Sequence, residues 1–176
     1  DGWRLLLPHS PSNLLYYSDG ACFPHPEASC TRASWVLVAA DRAGRVLCSE
    51  GGPVLSPLPQ TPQAGEFCGL LASARLPPGL LVTDCMAVIR VGDCGRITDS
   101  SLPTVPEQRI KAATQSSAMY SGMALRAAAF GGLVGIDKVD SHKSLTDTSI
   151  TEAERLKRKL SDEADSLANN SCTHPR

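Results

Sequence analysis

A chain of 176 residues with 42% hydrophobic and 20% charged residues has the composition of one globular domain with a single core. Its formal net charge of −1 excludes a global basic field, so a nucleic-acid partner would need local basic patches or bound metal ions. The seven cysteines are odd in number and contain no CxxC pair, which favours free thiols in a reducing compartment over a disulfide framework.

The same features bear on where the protein acts. No apolar run approaches the roughly 18 residues of a membrane span, and the first residues do not resemble a signal peptide. We therefore expect an intracellular protein of the nucleus or cytoplasm, neither secreted nor membrane-bound. The chain begins with Asp1, which suggests a domain cut from a longer polypeptide.

The first half of the chain predicts a leader, three strands and a helix. Residues 1–13 contain two prolines and several polar residues and are predicted to be a linker into the domain. Short apolar runs then predict strands, and strands joined by short turns are antiparallel neighbours. Gly44 favours a hairpin turn between the second and third strands, where a positive φ is needed. The predicted ranges are 14–17, 33–40 and 45–49 for the strands and 63–76 for the amphipathic helix.

The second half predicts alternating strands and helices within a domain of residues 14–170, followed by a tail of residues 171–176. The first helix separates the third strand from the fourth, so the fourth is reached by a crossover and needs a parallel partner. The order β-β-β-α-β-α-β-α predicts an α/β fold with a mixed five-stranded sheet flanked by helices. The predicted ranges are 80–83 and 133–139 for the strands, and 107–130, with a break at Ser121-Gly122, and 151–169 for the helices.

Four acidic residues occupy positions on these elements that suggest a shared site. Asp19 and Asp84 end or interrupt apolar strands, whereas Glu66 and Asp165 lie on predicted helices. A carboxylate at the end of a buried strand is costly to desolvate unless a cation or a proton compensates it. Any one of these acids is most simply a solvated charge, but several brought together would form a site for hard divalent cations.

Five motifs in chain order resemble type 1 ribonuclease H, including the domains carried by retroelement reverse transcriptases. The resemblance covers most of the chain, and its specificity comes from the order of the motifs and from the kind of element that carries each one. Each motif alone is common. The motifs are Tyr17-Ser18-Asp19-Gly20-Ala21-Cys22, Thr61 with Glu66, Val82-Thr83-Asp84, Val139-Asp140-Ser141-His142 and Glu163-Ala164-Asp165-Ser166-Leu167-Ala168.

The resemblance implies an endoribonuclease that hydrolyses the RNA strand of RNA–DNA hybrids and leaves 5′-phosphomonoesters. It implies two Mg²⁺ or Mn²⁺ ions held by Asp19, Glu66, Asp84 and Asp165, with Asp19 bridging them. Two divalent ions roughly 4 Å apart can activate a water and stabilise the leaving oxygen, and acidic side chains offset their charge. Asp162 lies on the same predicted helix as Asp165, which leaves open which of the two is the fourth acid.

The resemblance also implies roles for three residues outside the acids. His142 would assist proton transfer or product departure, a task suited to a side chain that titrates near neutrality. The backbone of Cys22 would contact RNA 2′-hydroxyls, and Thr61 would hold a DNA phosphate. The chain departs from the family at Pro62 and Gln63, where a pair of asparagines is common. A surface histidine in a polar loop is the simpler alternative for His142.

The last predicted helix carries the densest basic run of the chain. Such a run is either a solvated helix face or a contribution to phosphate binding. The run consists of Arg155, Lys157, Arg158 and Lys159.

Two further functions remain open from the sequence. One is a non-catalytic ribonuclease H-like module for nucleic-acid binding or scaffolding, although all four acids are present. The other is an integrase or resolvase, which would use a different last acid and spacing. The partners that the resemblance implies are an RNA–DNA hybrid and a reverse transcriptase domain of the same polyprotein, with the domain itself a monomer.

Overall fold

The strands of this chain form one mixed sheet. The computed structural model describes residues 14–27, 30–96, 117–130, 133–140 and 151–173. The strands within them are β1 (Leu14–Phe23), β2 (Arg32–Asp41), β3 (Val46–Pro53), β4 (Gly79–Thr83) and β5 (Leu133–Lys138). Their order in the sheet is β3-β2-β1-β4-β5. The first three strands are antiparallel, β4 is parallel to β1, and β5 is parallel to β4, which confirms the predicted fold class.

Helices cover both faces of this sheet. Successive side chains of a strand point to opposite faces, so Tyr16 and Tyr17 are buried in different cores. The core around Tyr16 is completed by the first three helices, whereas the core around Tyr17 is completed by the last one. The described helices are α1 (Pro62–Ser73), α2 (Met86–Arg96), α3 (Ala118–Phe130) and α4 (Glu152–Thr173).

Strand β1 is longer than the sequence predicts, and this difference positions the site. The prediction ended β1 at Tyr17, but the strand continues to Phe23 because it remains paired with β2 as far as Phe23 and Arg32. Its pairing with β4, in contrast, extends only from Leu15 to Tyr17. Asp19 therefore lies inside a strand whose β4 side is no longer paired.

Helix α2 was not predicted. Its valine and isoleucine residues are β-branched and Gly92 interrupts the apolar pattern, so local propensity disfavours a helix. Packing decides otherwise: Val88 and Ile89 are buried, and a Cβ on Gly92 would lie 2.7 Å from the Cβ of Ile136 on β5. Tertiary contacts against β5 thus stabilise a helix that the local sequence does not favour.

Other differences concern the ends of elements. The break predicted at Ser121-Gly122 was wrong, because α3 runs through both residues, while the predicted helical stretch 107–116 lies outside the described residues. Helix α4 continues to Thr173, beyond the predicted end at Asn169. The predicted leader, residues 1–13, also lies outside the described residues. The predicted turn at Gly44 is confirmed by its φ of 81°.

The cysteines whose side chains are described are free thiols. They are Cys22, Cys30, Cys48, Cys68 and Cys85. None of the helices in the described ranges is both long and apolar enough to cross a membrane.

Candidate active site

Two acidic residues lie where the pairing of two neighbouring strands ends. The last parallel pair joins Tyr17 of β1 to Val82 of β4. Asp84 directly follows β4, and Asp19 lies two residues beyond Tyr17 on the unpaired part of β1. The shorter strand therefore leaves room beside β1 at the carboxyl end of β4, and both carboxylates border it.

Helix α1 brings a third carboxylate to the same place because two glycines allow close contact. A Cβ on Gly65 would lie 2.8 Å from the Cα of Gly20, and a Cβ on Gly20 would lie 2.7 Å from the backbone nitrogen of Glu66. Neither position can carry a side chain without separating the helix from β1. The result is that Glu66, although on a helix, reaches the end of the sheet.

The three side chains form a compact oxygen cluster. One carboxylate oxygen from each of Asp19, Glu66 and Asp84 lies within 4.8 Å of the other two. The Oδ2 atom of Asp19 is buried and has no hydrogen-bond partner among the described residues. A buried carboxylate oxygen without a partner is costly unless a cation compensates it, and oxygen is the ligand that Mg²⁺ and Mn²⁺ prefer. The cluster is therefore chemically suited to a hard divalent cation.

The protonation of this cluster reflects burial and mutual repulsion. Burial raises the pKa of Asp19 to about 7, with Asp165 and Asp84 adding to the increase and a hydrogen bond with Glu66 opposing it. Burial also raises the pKa of Glu66 well above its usual range, and the charges of Asp19 and Asp84 act in the same direction. Without a cation, like charges crowd together here as the pH rises.

We expect the metal-free protein to lose stability as the pH is raised from about 5 to 8. The pKa of Asp19 is about 7 in the folded state and 3.8 in an ordinary environment such as the unfolded chain. Between pH 3.8 and 7 the folded state therefore binds more protons than the unfolded state. The stabilising effect of Asp19 is complete below about pH 4 and is lost as the pH rises through 7. Urea unfolding in EDTA across this window measures the effect, and Asp19→Asn should flatten the profile. A wild-type stability that does not fall with pH relative to that of the variant would contradict this expectation.

The carboxylate of Glu66 is held by three donors. The hydroxyl of Thr83 donates to its Oε2 atom at 3.2 Å, and the hydroxyl of Ser18 donates to the same atom at 3.4 Å. The backbone N–H of Gly20 donates to Oε1 at 3.1 Å. Both β1 and β4 therefore orient this side chain.

A fourth acid lies on the face of the sheet opposite to α1. Asp165 lies on α4, outside the set of three oxygens, yet its proximity raises the pKa of Asp19. Its Oδ1 accepts a hydrogen bond from Nδ2 of Asn169 at 2.8 Å. Asp162 and Glu163 are exposed on the same helix. Asp165 is thus half-buried and acts on the pKa of Asp19, and its role as the fourth metal ligand stays a prediction.

Solved structures similar to this chain share one fold. The PFV RNase H domain is 17% identical, with a TM-score of 0.56 and coverage of 92% of this chain and 94% of that one. The N-terminal RNase H domain of a Mycobacterium tuberculosis protein is 15% identical, with a TM-score of 0.52 and coverage of 91% and 93%. The chain has the ribonuclease H fold. A foamy viral protease-reverse transcriptase, solved with an RNA/DNA hybrid, is 15% identical with a TM-score of 0.52, and the match covers 92% of this chain and 20% of that one. No family model and no curated protein matches the sequence.

The other predicted site residues of this ribonuclease H fold are not part of the oxygen cluster. Thr61 caps α1: its Oγ1 accepts a hydrogen bond from the backbone N–H of Ala64 at 3.2 Å and lies 3.4 Å from the Tyr120 hydroxyl. Cys22 is half-buried at the far end of β1, with its Sγ 3.4 Å from the carbonyl oxygen of Gln60. His142 lies outside the described residues. The roles of these three in substrate binding or proton transfer stay predictions.

Two residues of the basic run of α4 form ion pairs within the fold. Lys157 forms an ion pair with Asp137 of β5 at 2.7 Å, and the buried Arg158 lies 3.5 Å from an acidic side chain one turn before it. Arg155 and Lys159 are exposed. For half of the run, intramolecular pairing explains the charge without a phosphate.

Sequence reasoning missed four residues that build the site. Ser18 and Thr83 orient Glu66, and Gly20 and Gly65 allow α1 to approach. The sequence did contain a signal for the two hydroxyl residues, because each directly precedes a predicted site acid. Alternation along a strand directs a residue and its predecessor to different faces of the sheet. The two glycines could not be assigned to close packing before the position of α1 was known.

Proposed function

We propose that this domain is an endoribonuclease that hydrolyses the RNA strand of RNA–DNA hybrids and leaves 5′-phosphomonoesters. The proposal rests mainly on the oxygen cluster of Asp19, Glu66 and Asp84, with its unpartnered buried oxygen, in a chain with the ribonuclease H fold. The foamy viral protease-reverse transcriptase of similar fold was solved with an RNA/DNA hybrid, which supports the same substrate class here.

The acids of the cluster would hold the cofactor. Asp19, Glu66 and Asp84, with Asp165 beside them, would bind two Mg²⁺ or Mn²⁺ ions, which when bound supply an activated water and stabilise the leaving oxygen. The residues contribute negative oxygens at fixed positions on strands and helices, so little ordering is needed when substrate binds. In the hydrolysis, the water oxygen bonds to phosphorus and the bond from phosphorus to the 3′ oxygen breaks, which leaves a 5′-phosphate and a 3′-hydroxyl.

Substrate selection would depend on contacts around this cluster. The backbone at Cys22 would contact RNA 2′-hydroxyls, and Thr61 at the start of α1 would hold a phosphate of the DNA strand. We further propose that the domain is part of a retroelement polyprotein that also carries a reverse transcriptase domain.

The test is cleavage of an end-labelled RNA–DNA hybrid with Mg²⁺, compared with duplex RNA, duplex DNA and an EDTA control. Cleavage of the hybrid RNA strand alone, with 5′-phosphate ends, is expected. Binding of the hybrid without any cleavage in Mg²⁺ or Mn²⁺ would reject the nuclease and favour the non-catalytic binding module. Cleavage of duplex DNA instead would favour an integrase or resolvase.

We expect His142→Ala to lower turnover on the hybrid by about a hundredfold without abolishing it, while hybrid affinity changes little. A positioned acid or base supplies about 10²–10⁴-fold, whereas the bound ions supply the electrostatic stabilisation itself. Steady-state kinetics beside Asp84→Asn on the same hybrid measure the difference. Equal and complete loss in both variants would make His142 a structural or metal-binding residue, and unchanged turnover would make it a bystander.

A further inference from the structure

Two buried hydroxyl groups converge on one oxygen of Glu66. Ser18 on β1 and Thr83 on β4 are 4% and 1% exposed, and Glu66 is 5% exposed. Their hydroxyls lie 3.4 Å and 3.2 Å from the Oε2 atom of Glu66. Within the described residues, β1 and β4 thus each direct one hydroxyl group at this oxygen.

The direction of these hydrogen bonds follows from the neighbouring groups. The Oγ1 atom of Thr83 already accepts a hydrogen bond from the backbone N–H of Cys85 at 3.0 Å, so its own proton is available for Glu66. The hydroxyl of Ser18 likewise donates to Oε2 of Glu66, at 3.4 Å. Both hydrogen bonds become stronger when Glu66 is ionised, which is the form that a nearby cation favours.

We infer that the hydroxyls of Ser18 and Thr83 are positioning groups that hold Glu66 through Oε2 and leave Oε1 as the oxygen it offers to a divalent cation. Oε2 accepts from both hydroxyls, whereas Oε1 accepts only from the backbone N–H of Gly20 among the described contacts. The inference rests on the proposed function for its importance in cleavage, but the orientation itself does not require activity. The alternation of β1 explains part of the arrangement, because it directs Ser18 to α1 and Asp19 to the other face. Thr83 is the last residue of β4, and Asp84 directly follows it.

The test uses four variants of the full chain: Thr83→Val, Thr83→Ser, Ser18→Ala and, as a control, Ser73→Ala. Ser73 is a buried α1 residue whose hydroxyl donates to the carbonyl of Leu70 and not to Glu66. The first readout is the amide proton resonance of Gly20 in the metal-free protein, since this amide donates to Glu66 and reports its orientation. The second is Mg²⁺ affinity by calorimetry, with hybrid cleavage measured alongside.

We expect Thr83→Val to move the Gly20 resonance upfield and to weaken Mg²⁺ binding by about 10–100-fold, the usual effect of removing a residue that orients a metal ligand. Thr83→Ser should restore both readouts, and Ser18→Ala should show a smaller loss because its hydrogen bond is longer. If Thr83→Val does not fold, Ser18→Ala carries the test alone.

Several outcomes would overturn the inference. These are an unchanged Gly20 resonance and Mg²⁺ affinity in the folded Thr83→Val or Ser18→Ala proteins, an equal loss in Thr83→Ser, or an equal loss in Ser73→Ala. Wild-type protein that binds Mg²⁺ but does not cleave hybrids would reject the proposed function and leave the orientation of Glu66 to be judged by the first two readouts.

Discussion

Asp19→Asn is expected to lower Mg²⁺-dependent cleavage of an RNA–DNA hybrid by at least about a thousandfold while the fold is retained. The substitution keeps the shape of the side chain but removes the charge of the residue that the other acids surround from both faces of the sheet. Its buried Oδ2 atom has no hydrogen-bond partner among the described residues, so a cation is its natural complement. Loss of several kcal/mol of charge stabilisation corresponds to the stated decrease in rate.

Measurements of folding separate this loss from damage to the structure. The metal-free variant should be at least as stable as the wild type near pH 8, because repulsion with Glu66 and Asp84 is relieved. The matched control is Asp162→Asn, an exposed acid on α4, which should cleave at the wild-type rate. Near-normal Mg²⁺-dependent activity in Asp19→Asn would contradict the metal-site assignment.

Gly65→Ala is expected to destabilise the protein by about 3 kcal/mol or more and to remove cleavage activity. A Cβ at this position would meet the backbone oxygen of Ser34 and lie 2.8 Å from the Cα of Gly20. Because backbone atoms of the central strands cannot move aside, α1 must shift outward and carry Glu66 with it. Overpacking of this kind typically costs 1–3 kcal/mol, and contact with backbone places the effect at or beyond the upper end.

The control for this substitution is Gly122→Ala on α3, where an added Cβ has no atom within 4 Å. That change should stabilise the protein by about 0.5–1 kcal/mol, since alanine is the better helix former. Chemical unfolding of both variants, with hybrid cleavage measured on the folded fraction, gives the comparison. A Gly65→Ala protein as stable and as active as Gly122→Ala would show that close packing of α1 is not required.

Some of the fold follows from local patterns in the sequence. Period-2 and period-3.6 apolar patterns depend only on neighbouring residues, and they predicted the order of the strands, α1 and α4 correctly. The same patterns failed for α2, where β-branched residues and Gly92 disfavour a helix that packing against β5 nevertheless stabilises. The residue types at Asp19, Glu66 and Asp84 also predicted an acidic site before any contact was known.

The meeting of these three carboxylates is determined by the sequence only through the tertiary structure. It depends on β1 remaining paired with β2 beyond the point where β4 ends, and on the close contact of Gly65 with Gly20. Both are relations between segments distant in the chain, so no local pattern reports them. The half-buried position of Asp165 and the exposed position of Asp162 likewise depend on which side of α4 lies against the sheet. Residue types therefore indicated the chemistry of the site, whereas strand length and helix packing decided which acidic side chains lie together in it.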